Sequence, residues 1–228
     1  IPLQALKSDV VGEFVKPCNF ARRLGDTEEP RSFESLGIGY GVIAYVTSIN
    51  GESGKLLAPN LRDHAAVFSD SAFLGFLDRR FPDRGVTVPE NCTNLIVVVS
   101  HMSRYNFGTA MNNSEKGLLP PVTIEGKKIT GWTCVGVGPE EVAAFEKANV
   151  EMPDLPCQFK RFKVKFDSKA DTFLLVRGWK KGHVWVNGHA LGRFWGIGPT
   201  QTMYVPGCWL NKGENEFVVF DFGGNVPM

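Results

Sequence analysis

Short apolar segments separated by turn-forming residues dominate this chain of 228 residues and restrict its fold more than any other feature. Segments of this length, bounded by Gly, Pro, Asn and Asp, are typical of β-strands and too short for ordinary amphipathic helices. Strands are predicted at Gly41–Ile49, Ala65–Phe68, Leu95–Ser100, Phe159–Phe166, Thr172–Val176, His183–Val186, Thr202–Val205 and Glu216–Phe222. The pattern therefore predicts an all-β protein.

Side-chain periodicity predicts which strand faces are buried. Phe162, Val164 and Phe166 alternate with two lysines, which places the apolar side chains on one buried face and the lysines in water. The segment Leu95–Val99 is apolar at every position instead. Such a segment is typical of a central strand that is covered on both faces.

The chain is long enough for two domains of ordinary size. One segment, Pro139–Lys147, favours a helix, since it has Pro in its first turn, acidic residues at its amino end and apolar residues three apart. We therefore predict a first β-sandwich over residues 1–136, with an amino-terminal linker over about residues 1–34. A connector with a short helix follows over residues 137–157, and a second β-sandwich covers residues 158–228.

Charge and cysteine spacing exclude several classes of function. The 25 basic and 24 acidic residues nearly cancel, so no net field attracts nucleic acid or a membrane surface. No apolar run approaches the roughly 20 residues of a membrane-spanning helix. No cofactor and no metal are expected, because no two histidines have helical metal-site spacing and the five cysteines form no CxxC pair. Their odd number predicts one or two disulfides and a remaining thiol, in a pairing that sequence does not fix.

The chain begins with Ile1 and has no basic-then-apolar leader, which predicts a processed product or an excerpt. Two tripeptides, at Asn91 and at Asn112, match the N-glycosylation pattern. Glycosylation of these asparagines is expected if the chain traverses a secretory pathway. The alternative is that both tripeptides arose by chance.

The segment from Gly178 to Asp221 carries the strongest resemblance to a known family. Asn187-Gly188 supplies the two left-handed residues of a type I′ hairpin turn. Around it stand Gly178-Trp179, Trp185-Val186-Asn187-Gly188, Leu191-Gly192-Arg193-Phe194-Trp195, Ile197-Gly198-Pro199, Gln201-Thr202, Tyr204-Val205-Pro206, Trp209-Leu210 and Lys212-Gly213-Glu214-Asn215-Glu216. In this order the motifs resemble the carboxy-terminal β-domain of family 35 glycoside hydrolases, the β-galactosidases.

The first half of the chain resembles the same family less closely. The segments Gly37–Tyr45 and Val99–Gly108 look like the glycine-rich entry and the second landmark of the family's first sandwich. His101, Ser103 and the order Arg62-Asp63-His64 depart from the family pattern. The resemblance spans roughly residues 35–222 and implies two jelly-roll-like sandwiches of the galactose-binding type, with localisation in a secreted, lysosomal or vacuolar compartment.

The resemblance also implies that this chain is not an enzyme on its own. Family members carry their two catalytic glutamates on a separate barrel, and none of these segments resembles that barrel. Retaining glycosidases place two carboxylates about 5 Å apart across the bond that they cleave. Acidic residues here lie mainly in predicted turns or the connector, at Glu28-Glu29, Asp78, Asp83 and Glu140-Glu141. We therefore interpret them as solvated surface charge, and no residue is assigned as catalytic.

Two groups of residues are candidates for binding. The aromatic, amide and guanidinium side chains of the second sandwich suit the apolar faces and the hydroxyls of a sugar, namely Asn187, His189, Arg193, Trp195 and Trp209. The alternative is that the tryptophans fill the core while Arg193 bonds backbone carbonyls. In the first sandwich, the loop Tyr105-Asn106-Phe107 is the candidate to face a barrel, and its alternative is packing within the sandwich.

The predicted function is that of a non-catalytic region that packs against a catalytic barrel, stabilises it and contacts galactoside. Its partners would be the barrel, as domain or chain, and galactose-bearing glycans. One alternative is a subunit of a proteolytically processed β-galactosidase that is active only with its barrel chain. The other is a free-standing, lectin-like or scaffold protein that lacks the barrel.

Overall fold

The computed structural model describes residues 9–13, 22–70, 72–101, 103–137 and 156–223. It divides into two compact units. The first unit covers residues 21–138, and the second combines residues 1–20 with residues 139–228. The predicted helix at Pro139–Lys147 lies outside the described residues.

Strands make up about half of the described residues. In chain order they are β1 Asp9–Glu13, β2 Arg22–Thr27, β3 Val42–Ser48, β4 Gly54–Leu57, β5 His64–Ser69, β6 Ala72–Asp78, β7 Val86–Val88, β8 Asn94–Ser100, β9 Thr123–Ile124, β10 Lys127–Lys128, β11 Trp132–Val137, β12 Gln158–Phe166, β13 Thr172–Leu175, β14 Lys181–Val186, β15 His189–Trp195, β16 Thr202–Val205 and β17 Gly213–Asp221. Two 3-10 turns, Thr109–Asn113 and Gly207–Trp209, are also described. The prediction of an all-β protein is confirmed.

The first unit packs two antiparallel sheets. A six-stranded sheet has the order β2-β11-β3-β8-β5-β6, and a four-stranded sheet has the order β10-β9-β4-β7. The core between them includes Tyr45 and Trp132. The hydroxyl of Tyr45 donates to the carbonyl oxygen of Arg31 at 2.7 Å, which satisfies the polar end of this buried ring. Strand β8 lies between β3 and β5, and Leu95 to Val99 are buried at every position, as predicted.

The second unit combines a five-stranded sheet, β1-β12-β17-β14-β15, with the two-stranded sheet β13-β16. Phe162, Phe194 and Phe217 contribute to the core cluster that it contains. Lys163 and Lys165 are exposed while Phe162 is buried, so the alternation predicted for β12 is confirmed. Both faces of the central strand β14 are buried.

Two strands, β1 and β2, lie within the segment of about residues 1–34 that was predicted as an amino-terminal linker. Strand β1 pairs antiparallel with β12 of the second unit, and β2 pairs with β11 in the first unit. Without β1, strand β12 would be an edge with unpaired backbone groups, and pairing satisfies them. Short strands carry little sequence information about their partner, which explains why the pattern did not predict this pairing. The connector over residues 137–157 stays a prediction.

Candidate functional site

The β14–β15 hairpin closes on the two turn residues that the sequence predicts. Asn187 and Gly188 have φ angles of 48° and 82°, the left-handed values of a type I′ turn. The side chain of Asn187 then fastens this turn to the rest of the unit. Its Nδ2 donates to the Trp209 carbonyl oxygen at 2.7 Å and to Asn215 Oδ1 at 2.8 Å. Its Oδ1 accepts from the Glu216 N–H at 2.9 Å, so the amide is engaged at both ends.

Asn215 continues the same network beneath the hairpin. Its buried side chain accepts from the Asn211 N–H at 2.7 Å and donates to the carbonyl oxygens of Asn211 and Gly213, each at 2.9 Å. We call Asn187, Asn211 and Asn215 the asparagine network. All its side-chain bonds lie within the protein, so its direct effect is to hold the hairpin against the turn before β17.

The ring of His189 stacks on that of Trp209 at the tip of the hairpin. Their centroids are 4.8 Å apart and their planes differ by 15°. Trp209 is partly buried and His189 is exposed. Since the imidazole already covers one face of the indole, a sugar at this tip would meet the outer side of the imidazole or the remaining edge of the indole.

Arg193 and Trp195 lie on the other face of β15. Arg193 pairs with His183 of β14, and Trp195 pairs with Lys181. His183 and Lys181 lie on the face of β14 opposite to that of the core residue Val184. Lys181 Nζ lies 5.4 Å from the centroid of the Trp195 ring. The structure therefore does not bring the five predicted sugar-binding residues together: two stack at the tip, one fastens the turn, and two lie on the opposite face.

Trp185, which is not one of these five residues, is almost completely buried in the core. Among the described side chains of this unit, the most exposed aromatic pair lies elsewhere. Phe173 and Tyr204 face each other across β13 and β16, with ring centroids 5.7 Å apart at 63°. Asp171 hydrogen-bonds with the Tyr204 hydroxyl and accepts from the Gly207 N–H at 2.7 Å.

In the first unit, the loop Tyr105-Asn106-Phe107 projects outward. Phe107 is 90% exposed and Tyr105 is 38% exposed. The start of the loop is held by Arg104, whose guanidinium hydrogen-bonds to the Glu34 carboxylate and donates to the Ser114 carbonyl oxygen at 3.3 Å. The side chain of Phe107 therefore lies almost entirely in solvent, and the barrel-facing role of the loop stays a prediction.

A buried group of charges lies under this loop. We call it the Asp63 cluster: Asp63, Arg79, Tyr105 and Lys116. The fully buried carboxylate of Asp63 accepts from Lys116 Nζ at 3.1 and 3.2 Å and from Arg79 Nη1 at 2.6 Å. Arg79 Nη2 also hydrogen-bonds to the Tyr105 hydroxyl. The ring of Tyr105 lies near both cations, with centroid distances of 5.0 Å to Lys116 Nζ and 5.6 Å to Arg79 Cζ.

These contacts set the electrostatics of the exposed phenol. The hydrogen bond from Arg79 is the main cause that lowers the pKa of Tyr105, and the charges of Arg79 and Lys116 act in the same direction. The same hydrogen bond, together with Asp63, raises the pKa of Arg79. Tyr105 is therefore a stronger hydrogen-bond donor than an ordinary surface tyrosine.

A cleft of about 500 Å³ lies beside Arg104, within the usual size range of small-ligand sites. Its apolar wall includes Ile38 and Met111, and its polar wall includes Glu34 and Asn112. The Arg104–Glu34 ion pair lies on this lining. The cleft combines apolar and hydrogen-bonding groups, but both ends of the ion pair are already engaged with protein.

The two predicted glycosylation asparagines, Asn91 and Asn112, are both exposed. In the first tripeptide the Thr93 hydroxyl donates to Asp70 Oδ1 at 2.6 Å. That bond and the amide of Asn94 lower the pKa of Asp70 to about 2. Exposure makes both asparagines sterically suitable acceptors, and their modification stays a prediction.

The part of the chain that the structure describes offers no disulfide and no metal-binding cluster. The described cysteines, Cys92, Cys134, Cys157 and Cys208, are unpaired thiols, so the expectation of disulfides is not met among them. Burial raises the pKa of Cys134 and Cys157. The described residues contain no cluster of three His, Cys, Asp or Glu able to hold a metal ion. No helix among them is long and apolar enough to span a membrane.

Two family models match the chain, one in each unit. Residues 30–138 match "Beta-galactosidase, first all-beta domain", and residues 147–215 match "Beta-galactosidase, galactose-binding domain". The chain therefore belongs to the β-galactosidase family, of which it carries these two β-domains. The resemblance inferred from the motifs is confirmed.

Curated relatives are similar over most of the chain. Beta-galactosidase-1-like protein 2 of Homo sapiens is 31% identical over 208 residues, which cover 86% of this chain and 32% of the relative. The beta-galactosidase of Xanthomonas manihotis is 32% identical over 184 residues, covering 78% and 30%. Beta-galactosidase 17 of Arabidopsis thaliana is 29% identical over 227 residues, covering 84% and 32%. The chain thus spans about a third of the length of these relatives.

Sequence reasoning missed the Asp63 cluster. Asp63 was singled out only because its neighbours depart from the family order, and Arg79 and Lys116 carry no local signal of pairing. The members of the cluster lie 16 to 53 residues from Asp63 along the chain. Only the antiparallel pairing of β5 with β6 and the return of the chain near Gly117 bring them together.

Proposed function

We propose that this chain is a non-catalytic region of a β-galactosidase that packs against the catalytic barrel and stabilises it. The observation that carries this proposal is the exposed Phe107, which projects from a loop held by Arg104 and by the Asp63 cluster. Tyr105, Phe107 and Met111 are all exposed within seven residues, and exposed apolar side chains that are grouped in this way are typical of a surface that becomes buried in a larger assembly. The names and lengths of the relatives support the same interpretation.

The catalytic carboxylates would belong to the barrel, so the isolated chain has no hydrolytic activity of its own. The barrel is either a further domain of the same polypeptide or, as a variant of this proposal, a separate chain produced by proteolysis. Native mass spectrometry of material from the natural source distinguishes the two, because it shows either one longer polypeptide or two associated chains.

The activity test uses the pure chain of 228 residues and a chromogenic galactoside. We expect no turnover from the chain alone and turnover from the assembly that contains the barrel. Hydrolysis by the pure chain would refute the proposal. In a longer polypeptide that contains the barrel, side-chain footprinting should show that Phe107 is protected from solvent. An unprotected Phe107 would refute the role given to the loop.

Contact with galactoside, through the second unit, is a second part of the proposal. The His189–Trp209 stack offers an aromatic surface beside polar groups, although Asn187 is occupied by the asparagine network. Arg193 and Trp195, on the other face, would form a separate contact. The exposed Phe173–Tyr204 pair near Asp171 favours the alternative of a lectin-like protein, since sugars stack on aromatic rings and bond to carboxylates.

A glycan array with the pure chain tests these contacts. Binding of galactose-bearing glycans that His189→Ala removes would support the hairpin, and binding that Phe173→Ala removes would support the sheet β13-β16. Exposed Phe81 supplies a matched control, since Phe81→Ala removes an aromatic ring from the other unit. An array without signal would exclude the lectin-like alternative and leave barrel packing as the function.

We also propose a secreted or lumenal location with glycans on Asn91 and Asn112. The exposure of both asparagines supports this proposal. Mass spectrometry before and after enzymatic deglycosylation of material from the natural source tests it. A mass without any glycan on either asparagine would refute it.

A further inference from the structure

The Asp63 cluster carries more positive than negative charge. Lys116 and Arg79 share the single carboxylate of Asp63. Nearby acidic residues are engaged elsewhere: Asp78 pairs with Arg80, and Glu34 pairs with Arg104. Lys116 is 2% exposed, whereas 27% of the Arg79 side chain is exposed. The excess positive charge therefore reaches the surface at Arg79.

The hydrogen bond between Arg79 and Tyr105 has only one possible direction. A guanidinium has donors and no acceptor, so the phenolic oxygen must accept. The hydrogen of the Tyr105 hydroxyl then points away from Arg79. Beside this bond, no hydrogen-bond acceptor for the Tyr105 hydroxyl hydrogen is found among the described residues. Tyr105 thus presents a donor, strengthened by its cationic neighbours, at a partly exposed position.

We propose that the surface formed by Tyr105 and Arg79 binds one carboxylate of an acidic side chain on a partner protein surface. A carboxylate would accept from the Tyr105 hydroxyl and neutralise the excess charge of the cluster. Charge-assisted bonds of this kind are roughly twice as strong as neutral ones. Asp63 and Lys116 act as positioning residues, since they hold Arg79 and the ring of Tyr105 from below.

The same loop indicates that the occupant is a protein. Phe107 is 90% exposed and Met111 is 51% exposed, and they follow Tyr105 within six residues. Apolar side chains beside a charged anchor are typical of protein interfaces, where aromatic, Met and Arg residues are enriched. The inference rests on the proposed packing against a barrel and specifies the chemistry that the barrel surface would present.

The test compares two neighbouring arginines. Arg79→Met removes the guanidinium that touches Tyr105, while Arg80→Met removes one that pairs with Asp78. Association is measured between the 228-residue chain and a polypeptide of the same source that carries the barrel without these two β-domains, at low and high salt. We expect Arg79→Met to weaken association about tenfold to a hundredfold, the effect of losing a charge-assisted bond. Arg80→Met should change it less than about twofold.

Tyr105→Phe is the second variant, because it removes one hydroxyl and keeps the ring between the cations. It should weaken association about tenfold. Equal effects of Arg79→Met and Arg80→Met, or no effect of Tyr105→Phe, would overturn the inference while the proposed packing stands. If the unaltered chain does not associate with the barrel at all, the proposed function itself fails.

A peptide experiment reads the site without the barrel. A blocked tripeptide with central glutamate, and its glutamine counterpart, are added while the Tyr105 phenol is titrated by ultraviolet difference against Tyr105→Phe. A bound carboxylate disfavours the phenolate, so the glutamate peptide should raise the pKa of Tyr105 and the glutamine peptide should not. No difference between the peptides, or a shift produced only by a sialic acid glycoside, would overturn the inference.

Discussion

The two units fasten a projecting segment to a β-sheet with different chemistry. In the first unit a buried ion cluster around Asp63 holds the loop at Tyr105. In the second unit a network of neutral amides holds the β14–β15 hairpin at Asn187. The amides use their bonds within the protein, whereas the ion cluster leaves a positive charge and a phenolic donor at the surface. A polar network whose hydrogen bonds all lie within the protein stabilises one structure. A cluster with an unneutralised charge at the surface can also bind a partner.

The largest expected effect comes from Asp63→Asn, which leaves the buried Lys116 and the partly buried Arg79 without their carboxylate. Breaking a buried ion pair by removing one partner destabilises proteins by about 3–5 kcal/mol. We expect a loss of this size in the free energy of unfolding of the first unit, and little change in the second.

Tryptophan fluorescence during urea unfolding can separate the units, because Trp132 lies in the first and the other four tryptophans lie in the second. Each unit is fitted as its own transition. Asp83→Asn is the matched control, since Asp83 is exposed in a loop and should change stability by less than about 0.5 kcal/mol. Similar unfolding of the two variants would show that the cluster is not the main polar support of the loop.

Asn215→Ala tests the neutral network and should destabilise the second unit by about 2–3 kcal/mol. The change removes the acceptor of the Asn187 amide and of the Asn211 N–H, and it leaves buried groups without partners. Asn211→Ala is the control, because Asn211 contributes through its backbone and its side chain is exposed. If Asn211→Ala destabilised the unit as much as Asn215→Ala, the network would not depend on its buried member.

Asn187 separates backbone conformation from hydrogen bonding. Asn187→Gly keeps the left-handed turn and loses the side-chain bonds, and we expect it to cost about 1 kcal/mol. Asn187→Ala loses the same bonds. It also places an alanine at φ 48°, where its Cβ is strained and no side-chain hydrogen bond compensates, and this adds about 1 kcal/mol. Thermal unfolding of both variants gives this difference. Equal stability would mean that the turn relaxes to another conformation.

Sequence information predicted this second region better than the first. The Asn187-Gly188 turn and the alternation of β12 follow from local patterns, since two-residue turns and strand periodicity depend on neighbouring residues. In the first unit, a local pattern predicted burial only for strand β8. The family motifs are equally local, and the family models confirm them. Positions of residues along a strand were thus predictable.

The grouping of side chains into sites was not predictable in the same way. A bulge in β15, between the partners of Val184 and Trp185, changes which face the later residues occupy. It contributes to the separation of His189 from Arg193 and Trp195. The Asp63 cluster depends on contacts across two strands and a loop, and no spacing in the chain encodes them. Such sites require the register of the sheets, which local periodicity does not supply.

The smallest expected effect comes from a surface carboxylate, Asp70. Like the asparagine network, it is held by hydrogen bonds to neutral groups and not by a buried ion pair. Asp70 accepts from the Thr93 hydroxyl and the Asn94 amide, and these bonds lower its pKa to about 2 in the folded chain. In the unfolded chain the value is about 3.9. Because the folded value is the lower one, the carboxylate stabilises the fold above about pH 4, and this contribution is lost as the pH falls toward 2.

Asp70→Asn should therefore lower the stability of the first unit at pH 7 by less than about 1 kcal/mol, since solvent screens this exposed site. The difference from the unaltered chain should shrink between pH 4 and pH 2 and vanish below the folded pKa of about 2. Urea unfolding followed by Trp132 at several pH values measures it. A difference that grows in acid would mean that the hydrogen bonds from Thr93 and Asn94 do not stabilise the ionised carboxylate of Asp70.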